Sequence, residues 1–133
     1  MNGASGVLTP VPDGPAVVAC STCRRPGGGR DGARLIAALR AVAAAGGHRG
    51  IAVQEMPCLF ACGSACVVHL RAPGRIGYVL GGFAADEGAA RAILDFAVRH
   101  AASAEGEVPY RDWPEGVKGR FLVRVPPAGF VAT

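Results

Sequence analysis

Residues 16–56, AVVACSTCRRPGGGRDGARLIAALRAVAAAGGHRGIAVQEM, contain the strand-helix-strand pattern that decides the fold. The apolar runs 16–20 and 51–56 have the length and composition of buried strands. Between them, apolar residues recur every three or four positions, which predicts a helix from Ala33 to Gly46 that Asp31 caps. We expect the two strands to be parallel, because a crossover helix between neighbouring strands is almost always right-handed.

The rest of the predicted core is a hairpin followed by a second helix. Residues 67–71 and 76–80 are β-rich runs separated by the turn sequence APGR, which predicts an antiparallel hairpin. After Asp86, a second amphipathic pattern predicts a helix with Arg99 and His100 near its negative C-terminal end. The resulting order, β-α-β-β-β-α, predicts an α/β protein with a thioredoxin-like fold and an irregular C-terminal arm.

The chain of 133 residues is predicted to form one domain that buries about two-thirds of its unfolded surface. Residues 1–15 are rich in proline and glycine and are predicted to be a flexible N-terminus. Residues 16–103 would form the thioredoxin-like domain, and residues 104–133 a C-terminal extension packed on it. In that extension, the alternation of apolar and polar residues at 120–125 predicts an edge strand or an extended arm. The segment would pack on the domain surface, cover a site as a lid, or make a dimer contact.

Charge and composition exclude two classes of partner. Lysine and arginine number 14 against 10 acidic residues, a net charge of +4, but the basic residues form no run and the aromatic residues are scattered. We therefore expect no nucleic-acid binding. The richest apolar stretch is broken by Arg40 and no apolar leader is seen, so we expect no membrane span and a cytoplasmic location. In that reducing compartment, clustered cysteines bind metal or carry out redox chemistry more often than they form disulfides.

The five cysteines fall into two groups, each just after a predicted strand. Cys20 and Cys23 follow the first strand, and Cys58, Cys62 and Cys66 follow the second. Loops at the carboxyl ends of adjacent parallel strands converge, so the sequence predicts that the thiols meet in one pocket. Four thiolates suit an iron-sulfur cluster and also suit zinc, and the spacing alone does not separate the two.

Other readings of the same residues remain open. Cys20 and Cys23 have the spacing of a thioredoxin redox pair, but residues 24–32 separate them from the predicted helix. We therefore expect neither thiol to lie at a helix N-terminus that lowers its pKa, and thiol-disulfide exchange becomes the alternative function. His69 is a further candidate ligand, although a lone strand histidine is more often structural. No catalytic arrangement stands out, so we expect no enzymatic reaction of its own.

Four arginines surround the first cysteine pair with one opposing acid, Asp31. Positive charge there would stabilise a negative thiolate cluster and steer an acidic partner. The alternative is a solvated loop in an arginine-rich chain. The four arginines are Arg24, Arg25, Arg30 and Arg34.

The stretch CLFACGSAC, residues 58–66, resembles the second cysteine motif of thioredoxin-like [2Fe-2S] ferredoxins and of the related subunit of NADH:quinone oxidoreductase. That motif is Cys-Leu-Gly-x-Cys-x-x-Ala-Pro, and Cys58, Leu59, Cys62 and Ala65 match it. The resemblance implies a ferredoxin form of the fold, with Cys58 and Cys62 as cluster ligands.

The same resemblance implies that Cys20 and Cys23 are the ligand pair from the first loop. The sequence departs from the motif at Phe60, which replaces the glycine, and at Cys66, which replaces the proline. Its first cysteine pair is also closer together than the ferredoxin pair.

The chain is also similar, over nearly its whole length, to an uncharacterised bacterial family described as predicted metal-binding proteins. The matching motifs are C-x-x-C-R at residues 20–24, C-L-x-x-C-x-x-x-C at 58–66 and R-V-P-P at 124–127. Together the resemblances predict a small [2Fe-2S] protein that transfers electrons, or has a metal-linked accessory role, for a partner protein. The alternatives are a zinc- or cobalt-handling protein using the same thiols, Cys66 included, and a thiol-disulfide oxidoreductase.

Overall fold

The computed structural model describes residues 6–48 and 50–133, so residues 1–5 of the predicted flexible N-terminus lie outside the described residues. One five-stranded sheet has the order β2-β1-β3-β4-β5, in which β1 and β2 are parallel and every other neighbouring pair is antiparallel. The predicted order β-α-β-β-β-α is confirmed. The elements are β1 Ala16–Cys20, α1 Asp31–Ala44, β2 Ala52–Met56, β3 Val68–Arg71, β4 Gly77–Leu80, α2 Glu87–Ala102 and β5 Phe121–Val125.

The core lies between the sheet and the two helices, which also contact each other. The apolar residues that recur at helical spacing are buried, as the amphipathic patterns predicted. Each fully buried leucine or isoleucine contributes about 1.5–3 kcal/mol to folding. The buried side chains include Leu35, Ile36, Leu39 and Val42 of α1, Ile93, Leu94 and Phe96 of α2, and Val17, Val68, Leu70 and Leu80 of the sheet.

The two helices begin differently. The second helix begins just after Asp86, as predicted, and Asp86 caps it, because its Oδ1 accepts a hydrogen bond from the Ala89 N–H at 2.9 Å. The prediction that Asp31 caps α1 is wrong. Asp31 is itself the first helical residue, and its carboxylate accepts from the Arg25 N–H at 2.8 Å and pairs with Arg34. Its charge therefore holds the preceding loop rather than the helix end.

Residues 120–125 contain the edge strand, which was one of the two predicted forms. As β5 they pair antiparallel with β4, with an irregularity between Val79 and Leu80. Phe121 packs against Trp113 and Phe96, with ring centroids 4.4 and 5.3 Å away. The C-terminal segment therefore extends the sheet and contributes aromatic side chains to the core. No helix that the structure describes is long and apolar enough to cross a bilayer.

Candidate thiol site

The two cysteine-bearing loops meet at one end of the sheet. Ser21 N donates to Met56 O at 2.9 Å, which joins the chain just after β1 to the end of β2. Cys20 N donates to Val67 O at 3.1 Å, which joins β1 to the end of the second loop. The first contact follows from the parallel pairing of β1 with β2, which brings their carboxyl ends to the same edge, and the second extends the antiparallel pairing of β1 with β3.

The turn from Cys20 to Cys23 packs directly against the first turn of α1. Gly32 N donates to Cys23 O at 2.9 Å. A Cβ atom at Gly32 would collide with Cys20 O and would lie 2.9 Å from Cys23 N, so only glycine permits this approach. The prediction that residues 24–32 separate this turn from the helix is wrong, because the loop doubles back and brings the Cys23 carbonyl to the Gly32 N–H. The prediction that neither thiol lies at the helix end stays a prediction, because this contact is made by the carbonyl oxygen and not by a sulfur.

All five cysteines are free thiols, and Cys20, Cys23 and Cys66 are buried. Burial tends to raise the pKa of Cys20, but hydrogen bonds from Cys23, Thr22 and the Leu59 N–H outweigh it, and the pKa lies below that of an ordinary thiol. Thr22 Oγ1 lies 3.6 Å from Cys20 Sγ. Cys20 is thus the thiol whose anion this end of the sheet stabilises.

Cys23 and Cys66 have the opposite character. Burial, followed by the hydrogen bond to Cys20, raises the pKa of Cys23 to about 12, although the Val67 N–H opposes this shift. Burial, followed by the negative charge of Asp31, raises the pKa of Cys66 to about 11. Both therefore remain protonated near neutral pH unless a metal ion or another cation replaces the proton.

Cys58 and Cys62 form a second pair nearer the surface. Their Sγ atoms are 3.8 Å apart, and the Phe60 N–H donates to Cys58 Sγ at 3.3 Å. The hydrogen bond to Cys58 raises the pKa of Cys62. Cys62 also begins the short 3-10 turn Cys62–Ser64, which is anchored where Gly82 N donates to Ser64 O at 2.6 Å.

The backbone between these two cysteines is unusual. Cys58 and Phe60 both have φ of 60°, in the left-handed region that favours glycine. Phe60 stands where the ferredoxin motif has glycine, and its backbone has the left-handed conformation that glycine adopts most readily. Leu59, between them, packs against the core while Phe60 is 93% exposed.

Cys20 connects the two groups of thiols. Its negative charge acts to raise the pKa of Cys23, Cys62 and Cys66, and the backbone of Leu59 in the other loop acts to lower the pKa of Cys20. The structure therefore brings the five predicted thiols to one end of the sheet, three buried and two nearer the surface. Over residues 6–48 and 50–133, no three His, Cys, Asp or Glu side chains are placed to hold a single metal ion.

The other predicted site residues divide between this end of the sheet and elsewhere. Arg24 and Arg25 are exposed beside Cys23, and the charges of Arg25 and Arg34 act to lower the pKa of Cys66. His69 lies elsewhere: it faces Gly77 of β4, and the charges acting on its pKa come from Arg71 and His100.

Three contributions to the site went unpredicted. These are the Thr22 hydroxyl, the Leu59 N–H and the close approach of Gly32. The contribution of Thr22 could have been predicted from the sequence, because a hydroxyl inside a Cys-x-x-Cys turn is within reach of the first sulfur. The other two depend on how the loops fold back, which spacing does not report.

One pair of the thiols has the spacing of two ligands of a single metal ion, while no third His, Cys, Asp or Glu of the described residues completes a group around such an ion. Two thiolates bound at about 2.3 Å to one tetrahedral ion lie about 3.8 Å apart, which is the separation of Cys58 Sγ and Cys62 Sγ. Cys20 and Cys23 lie in the neighbouring loop, and each thiol shifts the pKa of the other. Thiolates in this number select soft metals, namely zinc, copper(I) and iron-sulfur clusters.

The fold and the site define a thioredoxin-like α/β protein with a cysteine-rich end. A solved structure, that of a thioredoxin-like [2Fe-2S] ferredoxin from Aquifex aeolicus, superimposes with a TM-score of 0.52 at 16% sequence identity. The match covers 90% of this chain and 100% of that chain, and it confirms the predicted thioredoxin-like fold.

The chain belongs to the family described as protein of unknown function (DUF1636), whose sequence profile matches residues 17–127. This confirms the predicted membership of an uncharacterised family. No curated protein of described function matches the chain.

Proposed function

We propose that the protein binds a [2Fe-2S] cluster and transfers one electron at a time for a partner enzyme. The observation that carries the proposal is the 3.8 Å separation of Cys58 Sγ and Cys62 Sγ in a loop that is hydrogen-bonded at its ends to the turn holding Cys20 and Cys23. A cluster of two irons takes four thiolates, two on each iron, whereas a single zinc ion needs all four around one point. The fold shared with a [2Fe-2S] ferredoxin agrees with this choice.

In this proposal Cys20, Cys23, Cys58 and Cys62 hold the cluster, which supplies the one-electron redox step. The chain itself supplies the polar surroundings that tune the cluster. The Phe60 N–H donates to Cys58 Sγ, and the Thr22 hydroxyl lies 3.6 Å from Cys20 Sγ. Hydrogen bonds to ligand sulfurs stabilise the more negative, reduced state and so raise the reduction potential.

Cys66 has a separate role in the proposal. It is 1% exposed, and its backbone N–H is directed at Phe83 O at 3.4 Å. Its protonated thiol fills the space next to Cys20 and Cys23 without adding a negative charge to the ligand set.

The proposal is tested by purifying the protein without oxygen and measuring iron, sulfide and zinc. We expect about two iron and about two sulfide per chain, visible absorption, and an electron paramagnetic resonance signal that appears on reduction with dithionite. About one zinc per chain without colour would contradict the proposal and support the metal-handling alternative, which uses the same thiols.

Thiol-disulfide exchange is a second candidate, which the pKa contrast within the first pair favours. The Cys20 thiolate would attack a substrate disulfide, and Cys23 would then displace the mixed disulfide, leaving an oxidised Cys20–Cys23 pair and a reduced substrate. The packing of this turn against α1 is compatible with that chemistry. Iron-free protein that reduces insulin disulfides, and loses this activity in Cys20→Ser, would establish the second candidate over the first.

A further inference from the structure

We propose that the rim of the thiol site is a docking surface for an acidic redox partner protein. This docking rim consists of Arg24, Arg25, Arg30, Met56 and Phe60. The inference rests on the proposed function, because an electron carrier must bring its partner close to the cluster. It adds which face the partner uses and which chemistry the partner presents, namely carboxylates surrounding an apolar hollow that receives Phe60.

The apolar part of the docking rim is held outward by the backbone. Phe60 is 93% exposed, and Met56 is 44% exposed at the end of β2. The left-handed conformations of Cys58 and Phe60, together with the hydrogen bond from Phe60 N to Cys58 Sγ, orient the loop so that Leu59 packs inward. The phenyl ring of Phe60 therefore extends from a fixed loop. The backbone N–H of the same residue donates to Cys58 Sγ, one of the proposed ligand atoms. An aromatic side chain in this position is the kind of anchor that interfaces favour.

The charged part of the docking rim is positive. Arg24, Arg25 and Arg30 are exposed, and none of the ion pairs among the described residues includes their guanidinium groups. The nearest acid in sequence, Asp31, is buried and already paired with Arg34.

On the other loop, Glu55 is paired with Arg40. The hydrogen bonds from Ser21 N to Met56 O and from Cys20 N to Val67 O hold the two loops together. The positive side chains and the exposed ring thus flank the same thiols.

Charge complementarity selects an acidic occupant, and the single aromatic side chain favours a protein over a nucleic acid. Proteins that bind single strands stack successive bases on several aromatic side chains along a basic groove. Among the exposed aromatic side chains of the described residues, Phe60 is the one in the cysteine-bearing loops; Tyr110 and Phe130 lie in the C-terminal segment. A partner protein needs one apolar anchor inside a charged rim, which is what this surface offers.

The test compares charge changes of equal size at the two ends of the sheet. Arg24→Glu alters the docking rim, and Arg99→Glu alters an exposed arginine near the end of α2, close to where Arg75 bonds Ser103 at the opposite end. Phe60→Ser is matched by Phe130→Ser, since Phe130 is 70% exposed and lies beside Gly74 and Ile76. The probe is cytochrome b5, an acidic haem protein, whose association with the purified protein is followed by stopped flow and NMR shifts.

At about 0.01 M salt, where the Debye length is about 30 Å, we expect Arg24→Glu to slow association about fivefold or more and Arg99→Glu to change it less than about twofold. Phe60→Ser should speed dissociation, and Phe130→Ser should not. In dithionite-reduced samples, one electron should pass from the protein to the ferric haem, which becomes ferrous, with the same ranking of variants.

Equal effects of Arg24→Glu and Arg99→Glu on the association rate, or an association rate that does not fall with added salt, would overturn the proposed docking rim. Tighter binding of single-stranded oligothymidylate than of cytochrome b5 would also overturn it, in favour of a nucleic acid. Iron and sulfide are measured in the same samples. Absence of the cluster with the variant ranking intact would refute the proposed electron transfer but not the surface, whereas a normal cluster without the ranking would refute only the surface.

Discussion

Cys58 Sγ and Cys62 Sγ lie 3.8 Å apart, the distance that separates two thiolates on one tetrahedral metal ion. This spacing exists although Cys58 adopts a left-handed backbone and Cys62 begins a 3-10 turn. The loop therefore places the two sulfurs at ligand distance through its own backbone contacts.

The first prediction concerns these ligands. Cys58→Ser and Cys62→Ser should lose the cluster, because each removes one of the four proposed thiolates. Cys66→Ala, which removes a buried thiol outside the two pairs, should keep it with at most an altered spectrum. Iron and sulfide content together with the resonance spectrum of the reduced protein provide the measurement. Full retention of the cluster in Cys62→Ser would show that the assignment is wrong.

The second prediction concerns the packing of α1 against the first cysteine turn. Gly32→Ala should reduce the free energy of unfolding by about 1–3 kcal/mol and lower the cluster content, because its Cβ would collide with Cys20 O. Gly29→Ala is the matched control, since a Cβ there meets nothing within 4 Å, and it should change stability by less than about 0.5 kcal/mol. Urea unfolding measures both variants, and equal effects would argue against the close approach.

The third prediction concerns the conformation of Phe60. Because a non-glycine residue with φ near 60° is strained, Phe60→Gly should be more stable than Phe60→Ala by about 1 kcal/mol. Both variants remove the same exposed ring, so the comparison isolates the backbone. Denaturant unfolding at equal iron content provides the measurement, and a more stable alanine variant would contradict the observed conformation.

The fourth prediction concerns pH. Burial lowers the pKa of His100, whose Nε2 bonds Ile76 O at 2.6 Å, and burial also lowers the pKa of His69. Unfolding restores their ordinary values near 6.5, so the unfolded chain binds more protons below that pH. Stability should therefore fall as pH drops through about 6.5, with a slope of up to about 1.4 kcal/mol per pH unit for each histidine.

A control separates this histidine effect from the carboxylates. The pKa of Asp31 lies below that of an ordinary aspartate, so its contribution is lost only at lower pH. His100→Gln keeps a donor for Ile76 O and should flatten the slope between about pH 6.5 and 5. Thermal unfolding across this range is the measurement, and an unchanged slope in the variant would remove His100 as the cause.

Local patterns sufficed for most of the architecture. The residue range 16–20 of β1 and the cap of α2 at Asp86 follow from composition and capping chemistry that act within a few residues. The role of Asp31 was predicted wrongly, because capping chemistry within a few residues does not decide it. A carboxylate before a helix is equally suited to cap it or to bind the preceding loop, and the fold of residues 25–31 decided for the loop.

The sequence by itself determined the element order and put every cysteine in a loop or strand end at one edge of the sheet, because periodicity and turn residues report local backbone preference. Only the tertiary structure decided which thiols are buried, which pair at ligand distance, and that α1 begins against Cys23. Burial and the position of α1 arise from contacts between separate segments, such as Ser21 with Met56 and Gly32 with Cys23, whereas the Cys58–Cys62 separation comes from the backbone conformation within one loop. The contacts between segments depend on how the loops pack on the finished sheet, which residue spacing does not encode.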